Sequence, residues 1–358
     1  MVRRSLSRPE SIGYARATMT YLPRADDRVT IADVARLAGV SVPTVSKVIN
    51  GRPDVAPATR QGVEAVIEQT GYRRTSRGHR SGQLLEVVFH ELESEWALEI
   101  VMGVEQAASE HRLAVVISEM HGRRTPGRGW IEGVLNRRPL GLIVVFSNLS
   151  AAMLAQLKTR GIPLVVVDPA GEPIHDTPSV GATNWSGGVA ATRHLLDLGH
   201  RRIGFITGPR EIPCSRARLD GFRAAMDAAG APIDPELVRF GDFHVDSGVR
   251  WAREMLSRPE PPTAIFAAND LMALGVYQAA REARLHVPDD ISVVGFDDLP
   301  LAGWVSPPLT TVRQPLAAMA ASATRLVIEL ARGGTPSQTR LELSTELVVR
   351  ESTGAPSA

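Results

Sequence analysis

The chain has 358 residues, 44% of them hydrophobic, and a formal net charge of +1. That length allows two or three domains with a sizeable core. A single cysteine, Cys214, excludes a disulfide framework and any cysteine-based zinc cluster. No run approaches the roughly 18 apolar residues of a membrane span, so neither a membrane, a metal nor a cofactor is expected.

Residues 1–27, opening MVRRSLSRPES, mix Pro, Arg and Asp without periodicity and are expected to be a disordered tail. The early Arg pair has no apolar stretch behind it, so it reads as neither a secretory nor a twin-arginine signal, and a cytoplasmic chain is expected. Met19 is an alternative start to Met1.

Residues 30–50, TIADVARLAGVSVPTVSKVIN, predict two short helices joined by a tight turn. Thr30 is placed to cap the first, and Ile31, Val34, Ala35 and Ala38 make its apolar stripe. Gly39 ends it and Val40 plugs the corner. Ser41 caps the second helix, where Val45, Val48 and Ile49 turn inward. Val42, Pro43, Thr44, Ser46 and Lys47 are left outside, and Asn50-Gly51 stops the helix. A short, polar, cationic outer face suits a helix lying in the DNA major groove; an ordinary helical hairpin is the alternative. The stretch 55–60, VAPATR, opens a third helix with Val63, Val66 and Ile67 buried and Gly71 as its stop. A basic segment, YRRTSRGHR, follows at 72–80. Residues 28–83 hold nine Lys/Arg against four Asp/Glu, a balance of +5, whereas everything after 83 holds 26 against 32, a balance of −6. Positive charge is thus concentrated where a phosphate backbone would be met.

From Leu84 short apolar runs alternate with helical patterns, which predicts parallel sheets covered by helices. Strands are expected at 84–89, 114–119, 141–146, 163–168, 202–207, 264–269 and 292–297. Helices are expected at about 96–110, 150–160, 186–198, 216–229, 246–257, 270–283 and 316–332. Two such units of similar composition suggest two lobes with a cleft between them.

The motif VTIADVARLAGVSVPTVSKVING, then VAPATR, then Gly71-Tyr72, resembles the lactose-repressor (LacI/GalR) family of bacterial transcription regulators. The resemblance runs to about residue 352 through DLGHRRIGFITGP (197–209), SRARLDGFRAAM (215–226), AIFAANDLMALG (264–275), ISVVGFDDLP (291–300) and PPLTTVRQP (307–315). It implies an all-α helix-turn-helix headpiece at 28–73, a basic hinge at 74–83 and an α/β two-lobed, periplasmic-binding-protein-like sensor at 84–352. One lobe would take about 84–182 and 314–338, the other about 183–313 and 339–352. The family also implies a homodimer on a pseudo-palindromic operator, with a small effector in the cleft altering DNA affinity. The chain ends ELVVRESTGAPSA without the heptads of tetramerising members, so a dimer is expected.

Base reading is expected from Val42, Pro43 and Lys47, and phosphate contacts from Thr30, Thr44, Ser46, Asn50 and Thr59. Many relatives carry a hinge helix whose Leu wedges into the minor groove; here that position is Ser81, flanked by Gly78 and Gly82. Arg77 and Arg80 are expected to enter a narrow minor groove instead.

Polar residues closing strands are the expected cleft lining. Asp168, Asn269 and Asp297 each end an apolar run, Arg218 offers a two-pronged guanidinium, and Gln314 marks a lobe crossing. Phe89, Glu91, Trp96, Phe146 and Phe243 are expected walls or contacts, with His90 either a contact or a solvated loop residue. Carboxylates accept bonds from hydroxyls and repel acids, so a sugar is the preferred effector and a nucleobase the alternative. A cytoplasmic sugar-binding protein without DNA specificity is a further alternative. A transporter-feeding binding protein would need a signal peptide and no headpiece. An enzyme is not expected: there is no GxxxxGK[ST] loop and no HExxH, although Arg216 and Arg218 beside Cys214 suggest a lowered thiol pKa.

Overall fold

The computed structural model describes residues 29–52, 54–72, 84–92, 94–121, 126–146, 149–169 and 177–357. The chain divides into two compact units after residue 74. The expected tail at 1–27 and the whole basic hinge at 74–83, with Arg77 and Arg80 within it, lie outside the described residues.

The first unit holds three helices: α1 (Ile31–Leu37), α2 (Val42–Ile49) and α3 (Pro57–Thr70). Thr30 and Asp33 form a reciprocal capping box at α1: Asp33 N donates to Thr30 Oγ1 at 3.3 Å, and Thr30 N donates to Asp33 Oδ2 at 3.0 Å. Gly39 takes φ +64°, the left-handed turn between the helices that a side chain would resist. Ser41 accepts from Thr44 N at the start of α2, and α3 opens on Pro57 and stops at left-handed Gly71. Val34, Ala35, Val45, Val48, Ile49, Val55 and Val63 form its core. Full burial of each valine contributes about 1.5–3 kcal/mol.

The second unit contains two six-stranded sheets. In the first, β1 (Leu84–Phe89), β2 (Ala114–Glu119), β3 (Leu142–Val145), β4 (Leu164–Val167), β5 (Ser179–Ala182) and β11 (Arg340–Leu343) are all parallel, in the order β11-β5-β4-β3-β1-β2. In the second, β6 (Ile203–Thr207), β7 (Val238–Phe240), β8 (Ala264–Ala267), β9 (Ser292–Asp297), β10 (Thr310–Arg313) and β12 (Glu346–Val348) run β12-β10-β9-β8-β6-β7. Only β12 is antiparallel there. Helices α4 (Glu95–Glu110), α5 (Arg128–Arg137), α6 (Ala151–Thr159) and α12 (Leu316–Ala331) belong with the first sheet. Helices α7 (Asn184–Asp197), α8 (Pro213–Ala228), α9 (Val245–Leu256) and α10 (Asp270–Glu282) belong with the second, and short α11 (Leu301–Trp304) puts Ala302 in the second core and Leu301 in the first. Strands buried on both faces explain the continuous apolar runs. Glu86, an acid in the middle of β1, is fully buried and accepts from Arg137 Nε at 3.1 Å and Ser118 Oγ at 2.7 Å.

The chain crosses between lobes three times. The first crossing is at Thr183 and the second at Gln314. The third lies at residues 344–345, because β11 pairs with β5 and so belongs to the first lobe. This corrects the expected return at 339: RLELSTELV alternates without a break, so the pattern carries no boundary. Thr345 N donates to Thr183 Oγ1 at 2.9 Å and Thr345 Oγ1 to Thr183 O at 3.2 Å, tying two crossings together.

Candidate functional site

In the first unit, α2 turns Val42, Pro43 and Lys47 outward; Val42 is 40% exposed although apolar. Thr44, Ser46, Asn50 and Thr59 are half-buried around them, and Thr30 is exposed. Asn50 Nδ2 donates to Ser46 Oγ at 3.2 Å, and Ser41 and Thr44 hydroxyls lie 2.9 Å apart. Lys47 Nζ is 2.6 Å from Asp54 Oδ2, and this hydrogen bond holds the Asp54 carboxyl below its ordinary range. The pair is exposed and screened by solvent, so it competes only weakly with another acceptor for Lys47.

In the second unit a cavity of about 450 Å³ lies between the lobes, and all ten cleft residues expected from the sequence line it. Four stand where the chain leaves the apolar strands or opens the next loop, with left-handed backbone: Phe146 (φ 49°), Asp168 (φ 45°), Phe243 (φ 73°) and Asp297 (φ 114°). Such non-glycine conformations cost about 1–3 kcal/mol each and persist where the surrounding fold enforces them.

Arg218, Asn269, Asp297, Gln314 and Asp168 are each no more than 6% exposed. Arg218 Nε donates to Asn184 Oδ1 at 2.9 Å and Nη1 to Ala268 O, while Nη1 stands 3.8 Å from Asp297 Oδ1. Its guanidinium carbon sits 3.7 Å over the Phe296 ring. Helix α8 approaches α7 so closely here that a Cβ on Gly188 would collide with the Arg218 carbonyl. Gln314 Nε2 donates to Asp297 Oδ1 at 2.7 Å, whereas Gln314 Oε1 is buried without a hydrogen-bond partner. Asn269 caps α10 through Met272 N and donates to Phe243 O, both at 2.9 Å. Burial pushes the Asp297 carboxyl up to about 7 and the Asp168 carboxyl up to about 6, each against the pull of Arg218.

Asp298 points away from Asp297, held by Arg313 at 2.7 Å and Arg350 at 2.6 Å, so the two adjacent carboxylates form no dyad. The buried neighbour of Asp297 is Asp270, which accepts from Leu299 N at 2.8 Å and Thr311 Oγ1; burial and Asp297 raise its carboxyl well above the ordinary range. It was not among the residues anticipated from the sequence. Cys214 also lines the cavity, but burial pushes its thiol up to about 12, which overturns the expected activation by the neighbouring arginines.

The walls are aromatic. Phe146 of the first lobe meets Phe243 of the second edge-on at 5.9 Å, and Trp96 meets Phe146 edge-on at 6.4 Å. Toward solvent, Glu91 lies 3.7 Å from His90 Nδ1 and 3.5 Å from His244 Nε2 across the cleft. His244 and Asp242 were not anticipated; their signal was the run of polar residues around Phe243 in GDFHVD. Among the described residues no cluster of three or more His, Cys, Asp or Glu can hold a metal ion, and no helix is long and apolar enough to cross a membrane.

Residues 30–75 match the description of bacterial regulatory proteins, lacI family, and residues 192–353 that of a periplasmic binding protein-like domain. The HTH-type transcriptional regulator CelR of Thermobifida fusca is 37% identical over 336 residues, 91% of this chain and 98% of the relative. A solved CelR–cellobiose complex superposes with TM-score 0.68 at 36% identity, covering 91% of this chain and all of that one. The lac repressor dimer bound to operator and the anti-inducer ONPF gives TM-score 0.66 at 29% identity, covering 92% of this chain and all of that one. A helix-turn-helix unit ahead of a two-sheet cleft, matched along nearly the whole chain at this identity, means that the chain belongs to the lacI family of bacterial regulatory proteins, which bind DNA to regulate transcription and are not enzymes.

Proposed function

We propose that this regulator is a cytoplasmic, nucleoid-associated repressor that acts as a homodimer and takes a neutral, hydroxyl-rich sugar as its effector. The carrying observation is the surplus of acceptors in the buried part of the cavity. Among the described residues, Asp168, the free oxygen of Asp297 and the unpartnered Gln314 Oε1 all lack hydrogen-bond donors, and one guanidinium serves them. Sugar hydroxyls supply donors to such a site, while a phosphate or carboxylic acid would be repelled. The cellobiose bound by the related CelR is a ligand of this class. Edge-on Phe146 and Phe243 offer no parallel slot for a flat base.

Coupling follows from differential affinity. A sugar held by Asp168 on the first lobe and by Arg218 and Asp297 on the second favours one lobe angle, and a dimer's operator affinity differs between angles. On DNA, Val42 and Pro43 press on thymine methyls, Lys47 leaves Asp54 to donate to guanine, and Thr30, Thr44, Ser46, Asn50 and Thr59 meet phosphates, with Arg77 and Arg80 in the minor groove. Lys47→Ala is expected to cost about 1–3 kcal/mol of operator binding and to relax one base position; a mutant with an unaltered selected-site profile removes Lys47 from the readout. Isothermal titration against sugars and purines, with operator anisotropy read in parallel, tests the effector class. Saturable purine binding with no sugar binding overturns the sugar reading.

A further inference from the structure

Resting on that sugar reading, we propose that the cavity has a second sugar subsite at its mouth, formed by Glu91 and His90 of the first lobe with His244 and Asp242 of the second. The effector is then a two-ring sugar, its inner ring among the buried polar residues and its outer ring gripped by both lobes.

Three observations carry this. First, the polar lining falls into two groups separated by aromatic rings. Arg218 lies 6.0 Å from the Phe243 ring, Phe243 5.9 Å from Phe146, and Phe146 6.0 Å from His90, with Glu91 beyond. The inner group already provides hydrogen-bonding partners around one ring: Asp168, Arg218, Asn269, Asp297 and Gln314. The aromatic waist then offers apolar faces where one ring gives way to the next. Second, the volume of about 450 Å³ exceeds one pyranose. A single ring of roughly 150–200 Å³ takes up about 200–270 Å³ at protein packing density, which leaves about half the space to solvent.

Third, the outer group is built for hydroxyls and unfinished. Glu91 makes no hydrogen bond through its carboxylate among the described residues; its imidazole neighbours stand at 3.7 and 3.5 Å, beyond hydrogen-bond distance. Asp242 Oδ1 accepts His244 N at 2.9 Å, which fixes the loop that presents both. A hydroxyl between Glu91 and His244 would donate to one and accept from the other, joining the lobes through the ligand. The side chains of Glu91 and His244 are 34% and 51% exposed, so this outer grip is partly solvated and supplies discrimination rather than the bulk of affinity.

The test is titration calorimetry on the full-length protein with matched pairs: cellobiose and glucose, maltose and glucose, xylobiose and xylose. At least one disaccharide is expected to bind about 100-fold more tightly than its own monomer. In the Glu91→Gln/His244→Ala double variant that ratio is expected to fall by about tenfold or more, one to two hydrogen bonds' worth. His244→Gln, which keeps a polar tip, is expected to recover part of the ratio. A monosaccharide binding as tightly as its dimer, or a double variant that weakens both equally or neither, overturns the second subsite and leaves the sugar reading standing. No saturable binding by any sugar overturns both.

Discussion

The two lobes share a strand order but contribute opposite chemistry to the cleft. The second lobe supplies a connected polar floor: Arg218 is tied to Asn184, Ala268 and Asp297, and Asn269 to Met272 and Phe243. The first lobe supplies rings, Trp96 and Phe146, and two acids, Asp168 in the buried part and Glu91 at the mouth, neither of whose carboxylates makes a hydrogen bond among the described residues. A floor already hydrogen-bonded loses little entropy on meeting ligand, whereas a lid of rings gains only once it closes. The difference leads us to expect affinity to rest mainly on the second lobe and gating mainly on the first.

The strongest way to break this contrast is Arg218→Met. It removes the bonds to Asn184 and Ala268, the ion pair with Asp297 and the stacking over Phe296, and leaves Asp297 buried beside no cation, so about 3–5 kcal/mol of effector binding is expected to disappear; a calorimetric loss no larger than that for a first-lobe ring ends the distinction. Gly188→Ala comes next. Its methyl must push α8 and with it Arg218, so thermal melts are expected to show about 1–3 kcal/mol of destabilisation together with weaker sugar binding. An unshifted melting temperature would show that the floor tolerates movement.

Protonation sharpens the comparison further. Asp168 and Asp297 have folded-state values of about 6 and about 7, raised above the ordinary 3.8 of an unfolded chain. The folded state therefore holds protons that the unfolded state has released. Their contribution to stability is complete below about pH 4 and is lost as pH rises through 6 to 7. A ligand that donates hydroxyls prefers the ionised carboxylates, so sugar affinity is expected to rise by up to about tenfold between pH 6 and 8. Asp297→Asn is expected to flatten both profiles; slopes that survive it would assign the proton elsewhere. The smallest effect belongs to the lid: Phe146→Ala is expected to cost about 0.5–1.5 kcal/mol of affinity, expressed mainly as faster release in stopped-flow dissociation. Slower association with unaltered release would contradict a gating role.

Much of this was readable in the chain because it is local. The capping box at Thr30, the turn at Gly39 and the buried face of α2 are set by residues a few positions apart. Asp168 and Asp297 announced themselves as acids ending apolar runs. What escaped depends on distant partners. β7 is three residues long at a sheet edge, so the loop bearing Asp242 and His244 had little periodicity to mark it. α5 holds two glycines in ten residues, which conceals its helical pattern. Asp270 reads as a surface acid until β10 brings Thr311 against it. The Lys47–Asp54 pair needs the loop before α3 to fold back, which spacing alone does not reveal.

The lashing of Thr183 to Thr345 restricts how the sensor can work. Two of its three interlobe connections share hydrogen bonds, so they resist sliding past each other and leave rotation as the inexpensive motion. The remaining connection contains Gln314, whose amide nitrogen is bound to Asp297 and whose oxygen awaits a donor. If the effector engages Gln314 as proposed, occupancy is expected to act on the axle itself as well as on the two bodies that turn about it, so that the torsional preference of that axle becomes part of what the ligand sets.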